Sequence, residues 1–351
     1  MKNTFFLLAF VLVATSFIGC EDEIYYGNWK EISSLSTKGR SSASMFVIND
    51  KAYLVGGYGY YLINVYFNST WAFDVDGYSW TECDSMPCVP RKSGVAFSIN
   101  GKGYYCGGLS ADGAYHAELF EFDPSRPAGS QWKELSSDPF PEGGFYEGVG
   151  FAIGDCGYVG TGFNERTGIS NSIFKFDPSK PEGSRWSKSD TDNKAMHRHG
   201  ACAFVIGNKA YIIGGKNNTH EVKQFECFDA STERITVIST DMLKDFNVDI
   251  LYRYNATAFS IGNDGYITCG LKFTGEVLRD TWRYTPDIND GKGSWQFIGD
   301  FEGPSRYSAT GFSYGELGFV VGGQNGSFST NYKDDVWCFS PNEKYNWRPS
   351  R

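Results

Sequence analysis

Glu147 and His199 are the residues of this chain best suited to exchange a proton. A carboxyl and an imidazole within hydrogen-bond reach serve as general acid and base. They lie far apart in sequence, so only the fold can join them. The chain also carries five arginines at matching places, Arg40, Arg91, Arg198, Arg253 and Arg306. Guanidinium groups bind carboxylates through paired hydrogen bonds, so five on one rim would favour an anion. Tyr146, Tyr254 and Tyr307 sit beside these positions, and the segment Tyr58-Gly59-Tyr60-Tyr61 adds further rings. Tyrosine offers an apolar face and a hydroxyl, which suits a sugar or a peptide. His197 and His199 alternate as two metal ligands on a strand would, but no third ligand is evident, and neither a metal nor a cofactor is expected. A P-loop, a G-x-S-x-G elbow and an H-E-x-x-H pair are all absent from the sequence.

What must position these groups is a repeat. Each arginine lies 16 residues before the first of a closing pair: Gly56-Gly57, Gly107-Gly108, Gly214-Gly215, Cys269-Gly270 and Gly322-Gly323. A further unit keeps the spacing from Phe145 to Thr161-Gly162. Six units therefore begin at residues 40, 91, 145, 198, 253 and 306. Within each, an apolar run such as Val95–Ile99 meets a two-residue turn such as Asn100-Gly101, which specifies a hairpin. An aromatic-x-aromatic-Asp strand follows, as in Trp71-Ala72-Phe73-Asp74 and Phe120-Glu121-Phe122-Asp123. A fourth strand opens on Trp80, Trp132, Trp186 or Trp295, and the fourth unit has no such tryptophan. Abundant Gly and aromatic residues agree with short strands and tight turns.

These units resemble the kelch repeat, and the resemblance covers nearly the whole chain after residue 26. It implies an all-β fold, a six-bladed kelch-type β-propeller with four antiparallel strands per blade. Trp29-Lys30-Glu31-Ile32-Ser33-Ser34 nearly duplicates Trp132-Lys133-Glu134-Leu135-Ser136-Ser137. Residues 27–35 are therefore expected to close blade six as an N-terminal strand, in preference to the rival Trp347. By analogy with kelch propellers, the arginines ring the mouth of the central channel. The variable second-to-third strand loops, with Tyr58, Tyr60 and Tyr61, share that face. Variable loops on a rigid ring are where binding usually sits.

Before the repeats, Lys2 precedes the apolar run Phe5–Val13, too short to span a bilayer, and Phe17-Ile18-Gly19-Cys20 resembles a bacterial lipobox. The expected division is a signal peptide over 1–19, a lipidated linker over 20–26 with Cys20 as the anchor, and the propeller over 27–351. Glu21-Asp22-Glu23 resembles the surface-export signal of Bacteroidetes lipoproteins. These features imply an outer-membrane, lipid-anchored location. Cys83 and Cys88 are close enough in sequence to pair in an oxidising compartment. A net charge of −9 argues against nucleic acid as a partner. Three functions follow as expectations. The first is a binding module for a glycan or a surface protein. The second resembles the kelch-type sialic acid mutarotases, with Glu147 and His199 as acid and base and the arginines holding a carboxylate. The third is a structural scaffold in a surface complex.

Overall fold

The computed structural model describes residues 26–35, 37–60, 62–191, 197–238, 248–286, 293–326 and 332–344. Cys20, Tyr61 and Trp347 lie outside them. Among the described residues the chain is all-β, apart from one short 3-10 turn, Val248–Leu251. Six four-stranded antiparallel sheets account for most of it. The first contains Ser44–Ile48, Lys51–Val55, Thr70–Asp74 and Ser79–Cys83 in that spatial order. The second to fifth begin at Val95–Ile99, Val149–Ile153, Cys202–Ile206 and Thr257–Ile261 and repeat the same order. The sixth joins Thr310–Tyr314, Leu317–Val321 and Asp335–Lys344 to the N-terminal strand Tyr26–Ser34.

The aromatic signature has a packing cause. The third-strand aromatic faces the fourth-strand tryptophan across the ladder: Phe73 with Trp80, Phe122 with Trp132, Phe176 with Trp186 and Tyr284 with Trp295. In the sixth sheet Trp29 faces Phe339 in the same way, with ring centroids 4.8 Å apart. The fourth sheet pairs Phe228 with Ile235, so an aliphatic side chain fills the place of the missing tryptophan.

Neighbouring sheets interlock through first-strand phenylalanines. Phe46 packs on Phe122, Phe97 on Phe176, Phe151 on Phe228, Phe204 on Tyr284 and Phe259 on Phe339. Phe312 of the last sheet packs on Phe73 of the first, at 6.4 Å. Second-strand glycines make room for these rings: a Cβ on Gly103 would come within 2.1 Å of Phe46, and one on Gly265 within 2.0 Å of Phe204. Cys83 and Cys88 are free thiols, packed against the apolar cluster between the first two sheets.

Candidate functional site

The residue two places after each arginine, or after Phe145, adopts a left-handed backbone: Ser42, Ser93, Glu147, Gly200, Asn255 and Ser308. Their peptide groups are joined from unit to unit. Ser93 N–H donates to Ser42 O, Glu147 to Ser93, Gly200 to Glu147, Asn255 to Gly200, Ser308 to Asn255, and Ser42 to Ser308, all at 2.7–2.9 Å. The bonds form one continuous circuit. These residues, with the small ones that follow them such as Ala43 and Gly148, line a cavity of about 110 Å³.

A second set of bonds explains the repeat spacing. The arginine Nη1 donates to the carbonyl 16 residues on: Arg40 to Gly56, Arg198 to Gly214, Arg253 to Cys269 and Arg306 to Gly322. The following glycine N–H then donates to the arginine carbonyl of the next unit, as Gly57 does to Arg91 and Gly323 to Arg40. These glycines have φ between +20° and +160°, where a side chain would be strained.

The arginines thus depart from expectation. None is more than 2 % exposed, and their guanidinium groups are used within the scaffold. Arg91 pairs with Glu118 at 3.0 Å, Arg198 with Glu226 at 2.9 Å, Arg253 with Asp280 at 2.6 Å and Arg306 with Asp335 at 2.5 Å. Arg40 donates to Ser69 and Thr37 hydroxyls and lies over the Phe67 ring. The expected anion-binding ring of Arg40, Arg91, Arg198, Arg253 and Arg306 is therefore corrected: carboxylates of the same units neutralise four of the charges, and backbone carbonyls and hydroxyls accept further guanidinium hydrogen bonds. The clamp expected to hold an acidic sugar falls with it. In the third unit Phe145 fills the arginine slot and packs on Phe140 at 4.5 Å.

Glu147 and His199 do meet. Glu147 Oε2 lies 2.6 Å from His199 Nδ1, and Asn255 Nδ2 approaches Glu147 Oε1 at 3.5 Å. Gly200 leaves the space: a Cβ there would stand 2.6 Å from Asn255 Oδ1 and 3.5 Å from Glu147 Oε2. Burial pushes the Glu147 carboxyl upward, but the His199 bond and charge, with Lys216 and Asn255, outweigh it and hold it below the usual range. The Tyr146 and Phe163 rings flank the imidazole at 6.3 and 6.0 Å. Burial, then the Glu147 charge, raise the Tyr146 hydroxyl pKa, so it stays protonated.

Around this pair the residue after each arginine bridges to the loop that follows the glycine pair: Ser41 to Tyr58, His199 to Lys216, Tyr254 to Leu271 and Tyr307 to Gln324. Lys92 and Tyr146 pair likewise with Leu109 and Phe163. The starts of the first strands and the variable loops therefore share one face. Tyr58 contacts Tyr66 and Tyr332 edge-on, and Lys92 Nζ rests 4.5 Å over the Tyr58 ring. Lys216 Nζ lies 4.0 Å over Tyr254, and Gln324 bonds both the Tyr307 hydroxyl and Ser41. Tyr60 is exposed at the end of its short strand. The cation–aromatic pairs Lys92–Tyr58 and Lys216–Tyr254 escaped the sequence reading because each joins different units.

One further constellation mimics a hydrolase. His116 Nε2 lies 2.9 Å from Ser110 Oγ, and its Nδ1 lies 3.4 Å from Glu118. Ser110 is buried and its hydroxyl donates to Asp112, while Glu118 is engaged by Arg91. The Ser110 hydroxyl is shared among the Asp112 carboxylate, the Ala114 carbonyl and the imidazole, and these contacts order the loop.

The description "KLHDC2/KLHL20/DRC7 Kelch-repeats domain" matches residues 149–350, more than half of the chain, and "Kelch motif" matches residues 39–87. The chain belongs to the kelch-repeat family. Its sheets are those of a kelch β-propeller. The chain is 22 % identical to human Kelch-like protein 23 over 292 residues, which cover 79 % of this chain and 45 % of the relative. It is 23 % identical to mouse Kelch-like protein 15 over 290 residues, 75 % of this chain and 43 % of that protein. Chicken Kelch-like protein 15 is 28 % identical over 158 residues, 44 % of this chain and 30 % of that protein. The kelch chain thus spans less than half the length of these relatives.

Proposed function

We propose that this kelch chain is a closed six-bladed propeller that binds a protein partner through the loop face, tethered to the cell envelope by a lipid on Cys20. Closure is supported by the unbroken peptide circuit, by Phe312 on Phe73, and by Trp29 pairing with Phe339. Kelch repeats suggest a protein-binding module. The observation that carries the choice of face is the exposed apolar side chains on its loops. Leu62 and Ile63 are 89 % and 70 % exposed at the tip of the Tyr58–Tyr66 hairpin, and Val89 and Phe273 are more than half exposed on other connections. Large apolar side chains left in water on one face mark a surface that a partner covers. The tether rests on the signal-like residues 1–19, the lipobox-like Phe17–Cys20 and the linker to residue 26.

A photo-crosslinking residue at Leu62, compared with one at Tyr78 in a third-to-fourth strand turn on the opposite face, tests the binding face. Discrete protein adducts are expected from position 62 alone. Equal adducts from both positions, or none from position 62, would count against it. Metabolic labelling with an alkynyl fatty acid should mark the wild-type chain and leave Cys20→Ser unlabelled.

A further inference from the structure

We infer that the Glu147–His199 pair, with Tyr146 and Phe163, forms a saccharide-binding site at the mouth of the cavity that Glu147 helps line, separate from the apolar loop tips. The argument starts from the repeat. Six equivalent positions need a left-handed backbone, and the other five carry Ser42, Ser93, Gly200, Asn255 and Ser308. Small residues satisfy that requirement, so the scaffold does not call for Glu147. Placing a carboxylate there adds desolvation to the backbone strain. The neighbouring unit accommodates it: Gly200 omits the side chain that would collide with Asn255, and Asn255 turns its amide toward the carboxylate.

The product of this arrangement is a fixed imidazole. The 2.6 Å contact between Glu147 Oε2 and His199 Nδ1 fixes the orientation of the imidazole and leaves its Nε2 as the nitrogen turned away from the carboxylate. Among the described residues Nε2 has no hydrogen-bond partner. An imidazole nitrogen beside two aromatic rings suits a hydroxyl, which can either donate or accept, on a ring whose C–H face can lie against them. The Lys92 and Lys216 ammonium groups, held on Tyr58 and Tyr254, flank the site and can donate to further hydroxyls. A polyhydroxylated ring meets all three demands, whether it arrives as a free saccharide or as a glycan on a protein.

Saturation-transfer NMR on the full chain tests this, using the methyl glycosides of glucose, galactose and N-acetylglucosamine, and a glycopeptide beside its bare peptide. Transfer to ring C–H protons of at least one glycoside is expected for a free saccharide. Transfer to the glycopeptide alone assigns the sugar to a protein-borne glycan. In either case Glu147→Ser, which restores the repeat's own residue, and His199→Phe, which keeps the ring packing, should weaken binding by about tenfold or more. Each variant is first checked for a cooperative melt, and Glu147→Gln replaces any that fails. Transfer that is absent from every sugar in the wild type, or undiminished in the variants, overturns the inference. Crosslinking at Leu62 is unaffected by either result, so the two readings fail separately.

Discussion

Asp280 shows how the arginine positions couple stability to pH. Burial alone would raise its pKa, but Arg253, bonded to both carboxylate oxygens, outweighs burial and holds it below its ordinary 3.8. The folded chain therefore binds this proton more weakly than the unfolded one. The resulting stability is present above 3.8 and is lost as pH falls through the lowered value. Glu118 beside Arg91 behaves alike from its ordinary 4.5. The fully buried Glu226 runs the other way, because burial raises its pKa despite Arg198. Its contribution is present below 4.5 and fades as pH rises. We expect the urea midpoint to fall on acidification below about pH 4. Asp280→Asn should lower the midpoint at pH 7 and flatten the acid limb, and an acid limb as steep as that of the wild type would refute the assignment.

At the scale of the strand, the repeat is held by the fit between a first-strand ring and the glycine of the next sheet. Gly103→Ala forces its new methyl into Phe46 and should cost roughly 1–3 kcal/mol. Phe46→Leu in the same chain should recover part of that loss, measured by chemical denaturation. This element was legible in the sequence because its causes recur at fixed spacing. The offset of 16 is the reach from an arginine to the carbonyl it caps, and the tryptophan marks the ladder partner of an aromatic. The carboxylates that neutralise the arginines were not legible. Glu118, Glu226, Asp280 and Asp335 share no single offset from their arginines, and two are glutamates and two aspartates. Glu147 with His199 was visible only as a break in the repeat. The room made for them by Gly200 depends on Asn255, a full unit further on.

For the whole molecule, the decisive pairing is between the two ends of the chain. Trp29 is buried among Phe259, Phe301 and Phe339, and its Nε1 donates to Thr281 of the fifth sheet. The N-terminal strand thus serves two sheets at once. Trp29→Ala should cost about 3–5 kcal/mol. Deleting residues 26–34 should remove the single cooperative thermal transition, and an unchanged melting temperature would contradict the role assigned to that strand.

The register of that pairing also determines how the molecule bears load. Tyr26 lies opposite Lys344, so both strands leave the sheet at the same end. Tension applied between the chain's two ends therefore acts across the ladder rather than along it, and the hydrogen bonds are loaded one after another. Antiparallel strands pulled in this way unzip at low force, whereas strands pulled past each other resist with all their bonds together. A pull applied between the two ends would open the molecule first between Tyr26–Ser34 and Asp335–Lys344. The five other sheets, each made of consecutive strands, could stay intact as that sheet opens.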